Sequence, residues 1–373
     1  MSGIYIHIPF CLKACHYCDF HFSTNLKLKS AMVDALVKEI KLKSDASSIE
    51  TIYLGGGTPS VLSIDELQKV FDAIYQGYIV FEDAEITLEA NPDNLNKSFL
   101  TDLFNLGINR LSIGIQTFDD KLLNTINRTH SSAQALSCIE DAKNVGIHNI
   151  SADLIYAIPG GTRVQYQNDL NTLMSLDLPH ISIYGMTIEE KTVFGNWAKK
   201  GKIQEVVEEE HAFYYQLTHD SLTNNGFEHY EISNFSKPTM HSKHNSNYWQ
   251  QIAYIGIGPG AHSFDGKLRR FNIENNVKYI RSLENNVIPE QEEILTDTQR
   301  LNEQILTGLR TKKGLNLDMI EQRFGKNLFS DHHNTIQQLI ASEKMIHHNN
   351  QLSLSFKGYM VADEICLKLF YDS

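Results

Sequence analysis

The chain has 373 residues, 42% of them hydrophobic, and its 33 Lys and Arg against 45 Asp and Glu give a formal charge of −12. That composition fits a folded globular protein with one large domain and a smaller one, and the acidic balance argues against non-specific binding of nucleic-acid phosphates or anionic lipid. No apolar run approaches the roughly 20 residues of a membrane span, no basic segment precedes a long apolar core at the start, and five cysteines are too few for a disulfide scaffold, so a reducing, cytoplasmic setting is expected.

Residues 2–8 are short, apolar and β-prone, as in a buried strand. The next strand is predicted at 51–54 and stops at Gly55-Gly56-Gly57-Thr58-Pro59. There Ser63-Ile64-Asp65-Glu66 reads as a capping box opening a helix. Further strands are predicted at 85–90, 110–115, 150–156 and 180–185, with helices at 31–43, 97–106, 133–144 and 165–176. Strand starts recur at about the length of a βα unit, and no tight hairpin joins the first six. Such repeats imply an α/β fold whose parallel sheet curls into a full or partial barrel. A seventh strand is expected at 227–232.

From about residue 295 the pattern changes to helices at 298–310 and 331–342. Two β-like runs follow, 345–348 and 352–356, around the turn Asn349-Asn350, and then a last helix at 358–370. Helices with a hairpin suggest a small C-terminal winged-helix-like domain. The chain thus divides into a core at 1–235, a connecting segment at 236–294 and a C-terminal domain at 295–373.

Reactive groups in parallel α/β barrels gather at the carboxyl ends of the strands. The first such end here carries Cys11-Leu12-Lys13-Ala14-Cys15-His16-Tyr17-Cys18-Asp19-Phe20. Thiolates suit iron–sulfur clusters and zinc, and three on one short loop can reach three irons of a cubane, leaving the fourth to a ligand that is not protein. A zinc knuckle completed by His16 and a dithiol at Cys15 and Cys18 are the alternatives. Structural zinc normally closes with a second ligand pair, and none is evident. Cys138 and Cys366 lie in apolar helical patterns and read as core.

Cys-x3-Cys-x2-Cys after the first strand resembles the radical S-adenosylmethionine (SAM) superfamily. The resemblance implies a [4Fe-4S] cluster held by Cys11, Cys15 and Cys18, with SAM chelating the remaining iron. It extends to the glycine loop, where Gly56, Gly57 and Thr58 are expected near the methionine amino group, since glycine lets backbone approach a ligand closely. It also implies SAM contacts from Glu89 in Leu88-Glu89-Ala90-Asn91-Pro92, from Gln116, from Arg128 and from the ribose-binding acid Asp153. Tyr5 and Tyr17 match positions flanking SAM or the cluster. No catalytic residue is assigned.

Ile6-His7-Ile8-Pro9-Phe10-Cys11 and Tyr17-Cys18-Asp19-Phe20 resemble the branch that holds oxygen-independent coproporphyrinogen III oxidase and the HemW family of haem chaperones. Two departures separate the chain from the oxidase. Phe20 stands where the oxidase pattern has a further cysteine, and the oxidase carries a long arm ahead of the first strand, whereas Tyr5 lies near the start here. His244-Asn245-Ser246-Asn247-Tyr248-Trp249 resembles the chaperones' His-Asn-x-x-Tyr-Trp motif. Imidazole is a common axial ligand of haem iron, so His244 is the expected haem ligand, with His241 and His262 as nearby competitors. Gly256 to Ser263 and Tyr230 to Phe235 resemble further family segments. The resemblance thus implies a haem chaperone with cluster, SAM and haem. Its partner would be an acceptor haemoprotein such as a membrane respiratory enzyme, met by peripheral contact. The rival is an enzyme, the radical decarboxylase of coproporphyrinogen III.

Overall fold

The computed structural model describes residues 2–372. Its centre is six parallel strands that lie side by side in chain order: β1 (Ser2–Ile8), β2 (Ser48–Gly56), β3 (Ile79–Ala90), β4 (Arg110–Gln116), β5 (Asn149–Tyr156) and β6 (His180–Gly185). Helices α1 (Lys29–Lys43), α2 (Ile64–Gly77), α3 (Lys97–Asn105), α4 (Asp120–Thr125), α5 (Ser132–Asn144) and α6 (Arg163–Ser175) make the crossovers. The capping box expected at Ser63 is formed, Ser63 Oγ accepting from the Glu66 N–H while the Glu66 carboxylate takes the Ser63 N–H. Equivalent boxes start α5 at Ser131 and α6 at Thr162.

The remaining strands extend both edges. β7 (Glu228–Glu231) forms at the expected place but runs antiparallel to β8 (Asn234–Ser236), which itself pairs antiparallel with β6. Helices α7 (Val193–Lys199) and α8 (Glu208–Asn224) precede this pair. The segment expected as a connection is itself part of the sheet. After α9 (Lys243–Trp249), β9 (Tyr254–Ile257) lies parallel to β1 with Gly3 opposite Tyr254. β10 (His262–Phe264), β11 (Leu268–Asn272) and, after α10 (Asn276–Glu284), β12 (Glu290–Ile294) continue antiparallel. β7 and β12 are the two outer edges, so the sheet is open.

Successive strand residues face opposite sides, and the two sides differ in kind. Ile4, Ile6 and Ile8, Ile52 and Leu54, Ile86 and Leu88, Leu111 and Ile113, and Ile181 and Ile183 are all buried in the main core with the helices. The alternate residues are polar or small: Tyr5 and His7, Thr51 and Tyr53, Glu85, Thr87 and Glu89, Arg110 and Ser112, Ser151 and Asp153, His180 and Ser182. A sheet that buries one face in aliphatics and lines the other with hydrogen-bonding groups has a site to build there, because such groups are costly to bury without partners.

The C-terminal domain has α11 (Asp297–Leu309), β13 (Leu315–Asn316), α12 (Leu317–Phe324), α13 (Leu328–Asp331), α14 (His333–Ala341), β14 (Met345–His348), β15 (Gln351–Leu354), α15 (Phe356–Tyr359) and α16 (Ala362–Lys368). Its sheet order β13-β15-β14 and the helix–strand–helix–hairpin order are those of a winged helix. Asn349 and Asn350 turn the hairpin with φ of 47° and 57°, the geometry of a type I′ turn. The domain has its own core and joins the sheet through backbone bonds from Ile232 N–H to Arg310 O and from Lys312 N–H to Tyr230 O, both 2.9 Å.

Candidate cofactor site at the carboxyl ends of the strands

The loop after β1 is closed on itself and tied down from two sides. Cys11 N–H donates to Ser23 O at 3.1 Å and Ser23 N–H to Pro9 O at 2.9 Å. From the segment after β4, Asn127 Nδ2 donates to Ala14 O at 2.6 Å, while Ile126 O accepts from the His16 N–H at 3.2 Å. His16 Nδ1 bonds Thr125 O at 2.9 Å and its ring packs 4.8 Å from that of Trp197 on α7. The Nδ1 of that imidazole, the fourth ligand of the zinc alternative, is thus spent on tethering. The three thiols are free and half-buried, and cations or hydroxyls face two of them. Thr58 Oγ1 lies 3.5 Å from Cys11 Sγ, and Arg128 Nη1 lies 3.6 Å from Cys15 Sγ. Among the described residues no three His, Cys, Asp or Glu gather tightly enough for a single ion. A polynuclear cluster instead needs each thiolate on a different iron.

The glycine loop packs directly on this segment. Gly57 N–H donates to Ile8 O at 2.9 Å and Thr58 N–H to Phe10 O at 2.7 Å. A Cβ on Gly57 would sit 2.6 Å from Phe10 O, and one on Gly56 would sit 2.5 Å from the His7 ring. Gly56 also has φ of +104°, which L-residues avoid. With the Gly56 and Gly57 amides used internally, the loop offers a ligand carbonyl oxygens, suited to an amino group. Gly57→Ala forces the backbone of the two loops apart and is expected to cost about 1–3 kcal/mol. Thermal unfolding would measure it, and an unchanged midpoint would contradict this packing.

Two of the carboxylates on the polar side belong to the predicted site. Glu89 accepts from the Tyr53 hydroxyl at 2.7 Å and the Gly56 N–H at 3.1 Å. Burial pushes it up to about 7, opposed by those donors and reinforced by the Asp153 charge. Asp153 accepts from Ser112 Oγ at 3.0 Å and Ser151 Oγ at 3.1 Å, and burial pushes it up to about 6. Gln116 ends β4 after a register shift against β5, with φ of +69°. A non-glycine residue in this region costs energy and marks a place where side-chain direction outweighs local stability. Arg128 Nη2 donates to Asn91 Oδ1 at 2.6 Å and Gly114 O at 2.5 Å, holding the ends of β3 and β4 to the cysteine loop. Tyr17 is half-buried beside Cys15 and Arg128, and the Tyr5 hydroxyl bonds His7 Nδ1 at 3.1 Å.

Comparison with known proteins now decides the family. The haem chaperone HemW of Lactococcus lactis is 34% identical over 376 residues, covering 100% of this chain and 98% of the relative. That of Bacillus subtilis is 35% identical, covering 98% of both. The chain belongs to the HemW branch of the radical SAM superfamily. The family model for the Radical SAM superfamily matches residues 5–173, and that for the HemN C-terminal domain matches 295–361. A mitochondrial radical S-adenosyl methionine domain-containing protein 1 of Danio rerio is 30% identical over 100% of this chain and 89% of its own. In fold, the chain is similar to the coproporphyrinogen III oxidase HemN of Escherichia coli, with a TM-score of 0.85 over 99% of this chain and 90% of the other at 21% identity. Membership of the superfamily implies a [4Fe-4S] cluster and SAM. The three thiols and the acidic, carbonyl-rich rim fit both.

The cysteines, Tyr17, Gly56, Gly57, Thr58, Glu89, Gln116 and Arg128 thus lie at or beyond the carboxyl ends of the strands, with Asp153 and Tyr5 further down the polar face in mid-strand. His244 is not among them. It is only 2% exposed in α9, at the amino ends of β1 and β2, where a Cβ on Gly3 would lie 3.1 Å from it. Its Nδ1 bonds Thr51 Oγ1 at 2.8 Å and its Nε2 the Tyr248 hydroxyl at 2.9 Å, and its ring stacks on Tyr53. Burial pushes it down to about 3, with the Arg110 charge acting the same way. The Glu85 carboxylate caps this helix, accepting from the Lys243 and His244 N–H groups at 3.0 Å. Both nitrogens of His244 are therefore engaged within the protein. His241 stacks on Tyr230 at 4.2 Å and pairs with Glu228 at 3.2 Å.

Sequence reasoning missed two residues that support the candidate site. Tyr53 holds Glu89, and Arg110 is 2% exposed, with Nη1 lacking a hydrogen bond. From inside the sheet its charge lowers Glu89 and Asp153 against burial. The strict alternation of Arg110-Leu111-Ser112-Ile113-Gly114 was the available clue, since it separates an aliphatic from a polar face.

Proposed function

We propose that this chain is a haem chaperone. Cys11, Cys15 and Cys18 hold three irons of the cluster, and SAM occupies the fourth. The cluster, when bound, supplies an electron to the sulfonium. Gly56, Gly57, Thr58 and Glu89 receive the methionine end of SAM, with Gln116 and Arg128 beside it. Asp153, already the acceptor of two serine hydroxyls, takes the ribose, and Tyr5 and Tyr17 close the flanks. Arg128 offsets thiolate charge at Cys15, and Thr58 does the same by hydrogen bonding at Cys11. Haem is the cargo, bound by the core with its 236–294 segment and released to an acceptor haemoprotein. No described helix is long and apolar enough to cross a membrane, so a membrane-bound acceptor is met at the periphery.

The observation that carries this reading is the full-length similarity to haem chaperones at 34–35% identity. Phe20, 74% exposed where the oxidase pattern has cysteine, supports it against the oxidase. Anaerobically reconstituted protein is expected to take up haem and to pass it to an apo-haemoprotein. With reductant, SAM and coproporphyrinogen III it is expected to yield no protoporphyrinogen. Formation of protoporphyrinogen, or failure to bind haem, rejects the proposal.

A further inference from the structure

A second cleft adjoins the cysteine loop on the β9 side, with a volume of about 260 Å³. Its walls are aromatic: Tyr5 from β1, Phe20 from the cysteine loop, Tyr248 from α9 and Tyr254 from β9. Tyr248 and Tyr254 meet edge-to-face at 4.6 Å. Such a volume is below the roughly 300–1,000 Å³ of enclosed ligand sites, so a large flat ligand would enter with part of its plane in the cleft and the rest outside. Rings on several sides suit a planar aromatic guest.

Three imidazoles reach this cleft, and two are committed elsewhere. His7 bonds the Tyr5 hydroxyl through Nδ1 and His21 O through Nε2, at 3.1 and 2.9 Å. His21 Nε2 bonds Asn276 Oδ1 at 2.8 Å. His262 differs. It opens β10 and is exposed, its ring lies 5.6 Å from that of Phe271, and neither nitrogen has a hydrogen-bond partner among the described residues. A neutral imidazole with a free nitrogen is an iron ligand in waiting. Glu274 also lines the cleft and repels carboxylates, so the propionate edge of a haem would face the solvent opening.

We infer that the haem of the proposed chaperone binds in this cleft with His262 as its axial ligand. His244 then acts one step back, as a positioning residue. Its Nε2 holds the Tyr248 hydroxyl, which fixes the tyrosine ring as a wall of the cleft. This assignment gives the His-Asn-x-x-Tyr-Trp motif a role without exposing its buried histidine. It also places the cargo beside Tyr5 and the cysteine loop, next to the SAM site.

The inference rests on the haem-chaperone reading, and one titration separates the two. Haem is added to full-length, cluster-loaded protein and followed by Soret position, haem EPR signal and affinity. His262→Ala is expected to shift the Soret band, change the haem EPR signal and weaken binding by at least about tenfold. Added imidazole should restore the wild-type spectrum. His244→Ala is expected to weaken binding roughly tenfold while keeping the wild-type Soret position. His262→Gln replaces the alanine variant if the latter fails to fold. Wild-type protein that binds no haem overturns the chaperone reading itself. Wild-type protein that binds haem with the same spectrum and affinity as His262→Ala overturns only the cleft. Loss of the axial signature in His244→Ala, with its retention in His262→Ala, does the same.

Discussion

Cys15→Ala is expected to abolish the iron–sulfur cluster, taking iron and acid-labile sulfide to background after anaerobic reconstitution. Cys11→Ala and Cys18→Ala are expected to do likewise. The reason is valence: three thiolates serve three irons, with no spare cysteine in the loop to replace one. Cys138 and Cys366 provide the control. They are 2% and 0% exposed, and Cys138 Sγ bonds Ala135 O at 3.2 Å. Both behave as small apolar core residues, so alanine there is expected to cost on the order of 1 kcal/mol and to leave the cluster in place. Iron and sulfide assay with the charge-transfer absorbance measures both sets. A cluster that survives Cys15→Ala, or one that disappears with Cys366→Ala, would falsify the assignment.

Glu89→Gln separates stability from binding. In the folded, ligand-free protein Glu89 titrates near 7 rather than at the ordinary 4.5. The native state therefore holds this proton more tightly than the unfolded chain. That favours folding fully below pH 4.5 and is lost as pH rises through 7. Above pH 7 the carboxylate charge costs about 1–3 kcal/mol: each tenfold change in proton affinity is worth about 1.4 kcal/mol, and solvent at the open end of the strands screens part of it. Glutamine keeps the size and an acceptor for Tyr53 while removing the charge. The variant is expected to be more stable than wild type at pH 8 by that amount, with the difference vanishing at pH 4.5. Asp153 titrates in both proteins, and because its charge and that of Glu89 repel, removing the Glu89 charge relieves Asp153 as well and adds to the gain at pH 8. SAM affinity is expected to fall roughly 10- to 100-fold, because a charge-assisted bond to the amino group is worth about 1.5–3 kcal/mol. Denaturant melts at three pH values and equilibrium dialysis of SAM give the two readings. Parallel stability curves for the two proteins would show that Glu89 is not the buried acid described.

Local chemistry settled much of this molecule before any long-range contact. The βα repeat, the capping box at Ser63, the asparagine turn at Asn349-Asn350 and the position of the cysteine loop after the first strand each depend on residues within a few positions of one another. Their propensities and periods were therefore readable along the chain. The family resemblance then attached cluster and SAM roles to residues that the fold gathers along one face of the sheet, most of them at its carboxyl end.

What only the tertiary structure decided are the pairings made across long sequence separations. β9 joins the free edge of β1 some 250 residues away, and this converts an expected connection into the wall of a cleft. Nothing local distinguishes Tyr254-Ile255-Gly256-Ile257 as a parallel edge strand. Arg110 likewise reads as an ordinary polar residue, and His244 as the expected haem ligand, until the sheet closes water away from them, and the imidazole's fate is set by Thr51 and Tyr248 meeting it from two sides. Propensity acts through neighbours in sequence. Burial and the choice of hydrogen-bond partner act through neighbours in space, and those exist only once the sheet has formed.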